Sequence, residues 1–167
     1  MQPIKFTARA LRRIALTACL DKTRPHLCAL RFCPSDVLAT DGTILVRVPL
    51  PHDPERDFVL PSVPTVEALR TLRRDVTVTL TRCAGETRLS APLGYDFAIS
   101  DDADISVDRY PSVEVVIDAT QEVGTVADAH LSARMWIRVG KLARDLISVG
   151  DDAPIRILKA GSVPGKG

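Results

Sequence analysis

LATDGTILVRVPLP, residues 38–51, opens as an apolar strand, breaks at Asp41-Gly42 and resumes as a second strand that stops on prolines. Asp-Gly between two apolar runs is a strong short-range signal for a hairpin, because glycine adopts the positive φ that a tight turn requires. Some seventy residues later DRYPSVEVVI, residues 108–117, places a Tyr-Pro turn ahead of another apolar run. These two stretches anchor the reading of everything between and around them.

Upstream of the hairpin, PIKFTA is a short extended piece, and a helical period follows. In TARALRRIALTACLDK the apolar positions Leu11, Ile14, Ala15, Ala18 and Cys19 fall on one helical face, with Thr7 as the N-cap. HLCALRFCP, DVLATD and TILVRVPL then read as strands, so the order is β-α-β-β-β. Downstream the order repeats. DFVLPS is a strand, SVPTVEALRTLRRD a helix, and VTVTLTRCA, ETRLSAP and YDFAIS are strands separated by glycine turns. A linker, residues 119–129, leads to a third and shorter unit at 130–167. There Met135, Val139, Leu142 and Leu146 share a helical face, and APIRILKA is a strand. The expected fold class is α+β: two helices packed on antiparallel sheets in duplicated β-α-β-β-β units, plus a partial third unit. The expected domains are 1–118 (repeats at about 4–50 and 57–117), a linker at 119–129, and a partial β-α-β unit with a soft tail at 130–167.

The 167 residues are enough to bury a core, and 46% of them are hydrophobic against 26% charged. With aromatics at 4%, that core is built from Leu, Val, Ile and Ala. Net charge is +1, so no global field draws the chain to nucleic acid. Charge is segregated, however. The first helix carries Arg9, Arg12 and Arg13; the second carries Arg70, Arg73 and Arg74 against Glu67 alone. Acids gather in connections, at Asp53, Glu55 and Asp57 and again at Asp101, Asp102, Asp104 and Asp108. Arginines at helical spacing can meet backbone phosphates without reading bases. Exposed helix faces are also charged for ordinary reasons, so charge alone leaves both readings open.

No catalytic constellation emerges. His26, His52 and His130 are isolated, there is no P-loop or GxGxxG, and the acidic run at 100–108 lacks the glycine and terminal glutamate of a calcium loop. Cys19, Cys28, Cys33 and Cys83 form no CxxC pair. With no secretory signal they read as reduced, mostly buried thiols of a cytoplasmic protein, Cys28 and Cys33 pointing to opposite faces of one strand. No apolar run approaches a membrane span. The expectation is a non-enzyme without cofactor or metal.

The duplicated unit, the TDG turn and the Tyr-Pro strand together resemble the middle domain of the bacterial DNA polymerase III beta subunit (sliding clamp) family. The resemblance covers about residues 4–117 and describes a truncated or divergent relative. It implies a ring-forming DNA replication processivity factor: helices lining a hole around duplex DNA, and an outer groove that docks peptides of polymerases and other partners. Carried over by motif, the DNA-facing residues are Arg9, Arg12, Arg13, Arg70, Arg73 and Arg74. The groove residues are Leu27, Thr40, Gly42, Thr43, Leu45, Pro111 and Val116. The chain departs from the family pattern after the turn, where Thr43-Ile44 replaces the common His-Arg, and after the proline, where Ser112-Val113 stands. The implied partners are duplex DNA, clamp-binding peptides and further copies in a homo-oligomer. The alternative is a clamp-fold interaction module that captures such peptides without encircling DNA.

Overall fold

The structure, a computed structural model, describes residues 2–50, 57–112, 120–122, 137–141, 144 and 158–160. The chain divides into two units, Met1–Tyr110 and Pro111–Gly167. In the first unit the order is β1 (Ile4–Thr7), α1 (Ala8–Ala15), β2 (Ala29–Cys33), β3 (Asp36–Thr40), β4 (Leu45–Pro49), β5 (Phe58–Pro61), α2 (Ser62–Ala68), β6 (Thr77–Cys83), β7 (Glu86–Ala91) and β8 (Tyr95–Ser100). This is β-α-β-β-β twice, with 3₁₀ turns at Pro25–Leu27 and Val107–Arg109. The second unit holds an antiparallel pair, β9 (Thr120–Glu122) with β10 (Leu158–Ala160), and helix at 137–141 and 144. The expected Tyr-Pro strand beyond Ser112 and most of the third unit lie outside the described residues.

Each repeat contributes its first strand to the sheet of the other. One sheet runs β1-β6-β7-β8 and the other β4-β3-β2-β5, all antiparallel. Backbone hydrogen bonds extend the exchange into the helices. Ala8 N–H donates to Val76 C=O (2.8 Å), and Ser62 N–H donates to Cys28 C=O (2.9 Å). Each helix therefore starts tied to the residue that leads into the other repeat's sheet.

The core between these elements centres on Phe32, which is fully buried. It stacks on its cross-strand neighbour Phe58, with centroids 4.5 Å apart and planes 2° apart, and meets Phe6 edge-on at 6.4 Å. Phe6 lies in the β1 sheet and the other two in the β2 sheet, so the trio joins the layers. The guanidinium of Arg82, on β6, lies 5.4 Å from the Phe58 centroid and forms a bidentate pair with Asp101. Ile4, Leu11, Ile14, Leu30, Leu60, Leu69, Leu80 and Leu89 fill the rest.

Both helices are shorter than their periodicity predicts. Thr7 Oγ1 caps α1 by accepting from Ala10 N–H (3.1 Å), as expected. At the other end Thr17 Oγ1 donates to Arg13 C=O (3.1 Å), the acceptor a continuing helix would give to Thr17 N–H. That N–H turns to Ile14 C=O (2.9 Å), and the last turn tightens to 3₁₀ geometry. The second helix was expected to reach Asp75 but ends at Ala68. There the Tyr95 hydroxyl, from β8, donates to Ala68 C=O, which a longer helix would need for Leu72 N–H. Leu72 N–H bonds to Leu69 C=O instead (3.3 Å).

Candidate nucleic-acid and peptide-binding surfaces

The early end of α2 changes where the second arginine triad sits. Arg70, Arg73 and Arg74 are exposed in the connection from α2 to β6, and not on a helix as their spacing suggested. Arg9, Arg12 and Arg13 are on α1 and half-buried. The connection folds back on the start of α1: Arg9 N–H donates to Arg74 C=O (3.1 Å), beside the Ala8–Val76 bond. The helices also pack on each other. Main-chain geometry thus brings Arg9 beside Arg74, at one end of each triad. Asp75 and Glu67 are the acids within this connection and on α2. Arg12 Nε is buried with no hydrogen-bond partner among the described residues, while the residue as a whole stays partly exposed.

The second surface is built on the β3–β4 hairpin of the quoted stretch, in the register Thr40↔Leu45 and Leu38↔Arg47. Asp41 organises its turn, with Oδ1 accepting from Thr43 N–H (2.8 Å) and Ile44 N–H (2.9 Å). Thr40 Oγ1 accepts from Gly42 N–H (3.0 Å). Gly42 has φ +87°, and two side chains close over its bare Cα. A Cβ there would lie 3.7 Å from Arg24 Nη1 and 3.8 Å from Leu27 Cδ1, ordinary contact distances. The position thus favours glycine for its backbone angle and not for lack of space. Gly42→Ala is expected to destabilise the first unit by about 1 kcal/mol, measured by denaturant unfolding. A neutral result would show that the turn relaxes to negative φ.

Of the groove residues inferred from sequence, Leu27, Gly42, Thr40 and Leu45 come together at this turn. Leu27 and Thr40 are buried, Leu45 is half-buried, and Gly42 and Thr43 are exposed. Pro111 is the first residue of the second unit, and Val116 lies outside the described residues. Tyr110, just before that proline, is buried in the first unit, and its hydroxyl donates to Leu38 C=O (3.4 Å). The two stretches that opened the reading are therefore joined through this tyrosine. Burial pushes the Tyr110 hydroxyl well above its usual range.

Arg24 is the residue that sequence reasoning missed. It stands in a turn organised by Asp21, whose Oδ1 accepts from Thr23 N–H (2.9 Å) and whose C=O accepts from Arg24 N–H (2.9 Å). Asp21-Lys22-Thr23 carries a visible turn signal, but nothing local shows that the turn delivers an arginine to Gly42. At the far end of the hairpin, Asp36 pairs with Arg47 (2.7 Å) and accepts from Ser35 Oγ (2.6 Å). Burial raises the Asp36 carboxyl, but the hydrogen bonds from Arg47 and Ser35 outweigh it and hold the group below its usual range. The stabilisation this gives is present above the ordinary carboxylate pKa and is lost as pH falls through the lowered one.

The cysteine expectation needs correction. Cys19 is buried, Cys28 and Cys33 are half-buried, and Cys83 is exposed. Cys28 precedes β2, where the 3₁₀ turn ends, so it does not share a strand with Cys33. The acidic connection is also tied down: Asp101 pairs with Arg82, and Asp102 Oδ1 accepts from Asp104 N–H (2.9 Å). Among the described residues no cluster of three or more His, Cys, Asp or Glu could hold a metal ion, and no helix is long and apolar enough to cross a membrane.

Two sheets that exchange their first strands, with paired helices tied across the exchange, match solved structures of one kind. DNA polymerase III subunit beta of Borrelia burgdorferi, solved in complex with a natural product, superposes with a TM-score of 0.55 at 16% identity, over 70% of this chain and 33% of that one. The fold is that of a bacterial sliding-clamp domain. The Pseudomonas aeruginosa sliding clamp bound to griselimycin gives a TM-score of 0.52 at 18% identity, over 67% of this chain and 32% of that one. The DNA polymerase III beta chain of Streptococcus pneumoniae gives 0.52 at 18% identity, over 70% and 33%. The chain spans about a third of the length of these clamps. No family model and no curated protein matches the sequence. At this identity the clamp likeness is one of fold.

Proposed function

We propose that the chain is a clamp-like, non-enzymatic DNA-binding protein of replication that holds duplex DNA without reading its sequence. The observation that supports this is the Arg9–Arg74 backbone bond, which joins the two distant segments that carry the six arginines. Phosphate contacts release counterions, so affinity for an arbitrary duplex should fall steeply and log-linearly with salt, by about 0.9 log units per contact for each decade. The test is a binding isotherm on two unrelated duplexes between low and physiological salt. Equal affinities with a steep common slope support the proposal; no binding at low salt overturns it. Four sheet-edge strands, β1, β8, β4 and β5, lack an outer strand partner among the described residues of the first unit, and open edges seek partners. We propose homo-oligomers through these edges. Light scattering of the same sample would give a discrete oligomer if copies assemble into a ring, and a monomer at all concentrations would rule out encirclement by this chain alone.

A second reading rests on the hairpin, where Arg24 and Leu27 lie against an exposed glycine turn and Leu45 opens the strand after it. An extended peptide with an apolar side chain and an acidic group would suit this chemistry. With Thr43-Ile44 after the turn, the surface is more apolar than the family pattern and offers fewer hydrogen bonds. Leu45→Asp is expected to weaken capture of a clamp-binding peptide at least tenfold while leaving duplex affinity intact. Parallel loss of both would place the two functions on one surface and remove this reading.

A further inference from the structure

We infer that Cys19 and Cys28 form an oxidation site, which a hydroperoxide converts to an intramolecular disulfide closing the loop that carries Arg24 and Leu27. The inference goes beyond DNA or peptide binding and holds whatever the chain binds. Its basis is that two segments nine positions apart bring both sulfurs onto one residue. Cys19 N–H donates to Leu27 C=O (2.9 Å), setting Cys19 beside the Leu27–Cys28 peptide. Asp21 N–H donates to Cys19 Sγ (3.3 Å), and Cys28 Sγ donates to Asp21 C=O (3.3 Å) and lies 3.5 Å from Arg24 C=O. The Cys19 thiol is also near enough to be among the causes that raise the Cys28 pKa. Cys28 is partly exposed and Cys19 buried, so one sulfur can be reached by an oxidant and the other waits behind it. The remaining cysteines are placed otherwise: Cys33 Sγ donates to Asp36 C=O (3.4 Å), and Cys83 is exposed at the end of β6.

The chemistry balances in two steps. The Cys28 thiol gives its proton to solvent, and the thiolate attacks one oxygen of hydrogen peroxide. The O–O bond breaks, and the leaving hydroxide takes a proton and departs as water. The Cys19 sulfur then attacks the sulfenic sulfur of Cys28. The S–O bond breaks, the S–S bond forms, and the second hydroxide leaves as water with the Cys19 proton. Two thiols lose two electrons, and one peroxide becomes two waters. Burial, the Cys19 thiol and Asp21 raise the Cys28 pKa, which makes the first step slow.

The test uses the full chain carrying Cys83→Ser, treated with hydrogen peroxide, alkylated, digested and weighed without reduction. The expected product has lost two hydrogens, with the segments bearing Cys19 and Cys28 crosslinked, Cys33 still alkylated, and a Tm about 5 °C higher because a short loop is closed. In a further Cys19→Ser variant, Cys28 should instead gain oxygen, since nothing resolves the sulfenic acid. A second measurement, thiol titration of the otherwise unaltered chain in a glutathione redox buffer, does not depend on any variant folding. Oxygen added to Cys28 while Cys19 remains alkylatable, or equal loss of Cys33, would overturn the inference.

Discussion

With Arg9, Arg12, Arg13, Arg70, Arg73 and Arg74 all replaced by serine, affinity for duplex DNA is expected to fall about 100-fold or more near 0.1 M salt, and the salt slope to flatten by about 5. The magnitude follows from one counterion-releasing contact per arginine. Replacing one triad at a time discriminates further. If α1 and the α2–β6 connection form one surface, each triad removes about half the slope. If one triad carries it all, the Arg9–Arg74 bond joins segments that do not act together. Changing all six to lysine keeps the point charges and should restore the slope, which a merely structural role would not do. Circular dichroism of each variant checks that α1 remains, since serine is a poorer helix former than arginine.

Phe32→Ala is expected to destabilise the first unit by about 4 kcal/mol in denaturant unfolding. That is a large share of the roughly 5–15 kcal/mol available to a domain. The ring is fully buried between a stacked Phe58 and an edge-on Phe6, one neighbour from each sheet. Removing the ring loses its burial and leaves a cavity between two aromatic rings, so transfer and cavity terms add. Phe97→Ala on β8 is the control: its ring is 40% exposed, and its loss should cost well under 1 kcal/mol. Similar costs for the two would mean that the trio does not join the layers.

How much of this was legible in sequence depends on the range of the interaction. Thr7 as N-cap, the β3–β4 hairpin and both β-α-β-β-β orders were readable, because caps, turns and alternation act within a few residues. The end of α1 was readable in principle too, since Thr17 competes for a carbonyl four residues back. The end of α2 was not, because the competitor is Tyr95, from another strand. The helix ends where that contact forms, and Arg70, Arg73 and Arg74 lie beyond it, off the helix their spacing implied.

By itself the sequence determined the β-α-β-β-β order of the two repeats in the first unit, the apolar faces of their strands and of α1, and the segregation of charge, for these follow from periodicity and local backbone chemistry. Tertiary structure alone decided that β1 joins β6 and β5 joins β2, that Arg9 meets Arg74, that Arg24 reaches Gly42, and that Cys19 and Cys28 share Asp21. Alternation tells a strand which face to bury but not beside which strand to lie. The choice is made by the core as a whole, here around Phe32, where the exchanged strands of both repeats bury their apolar faces together.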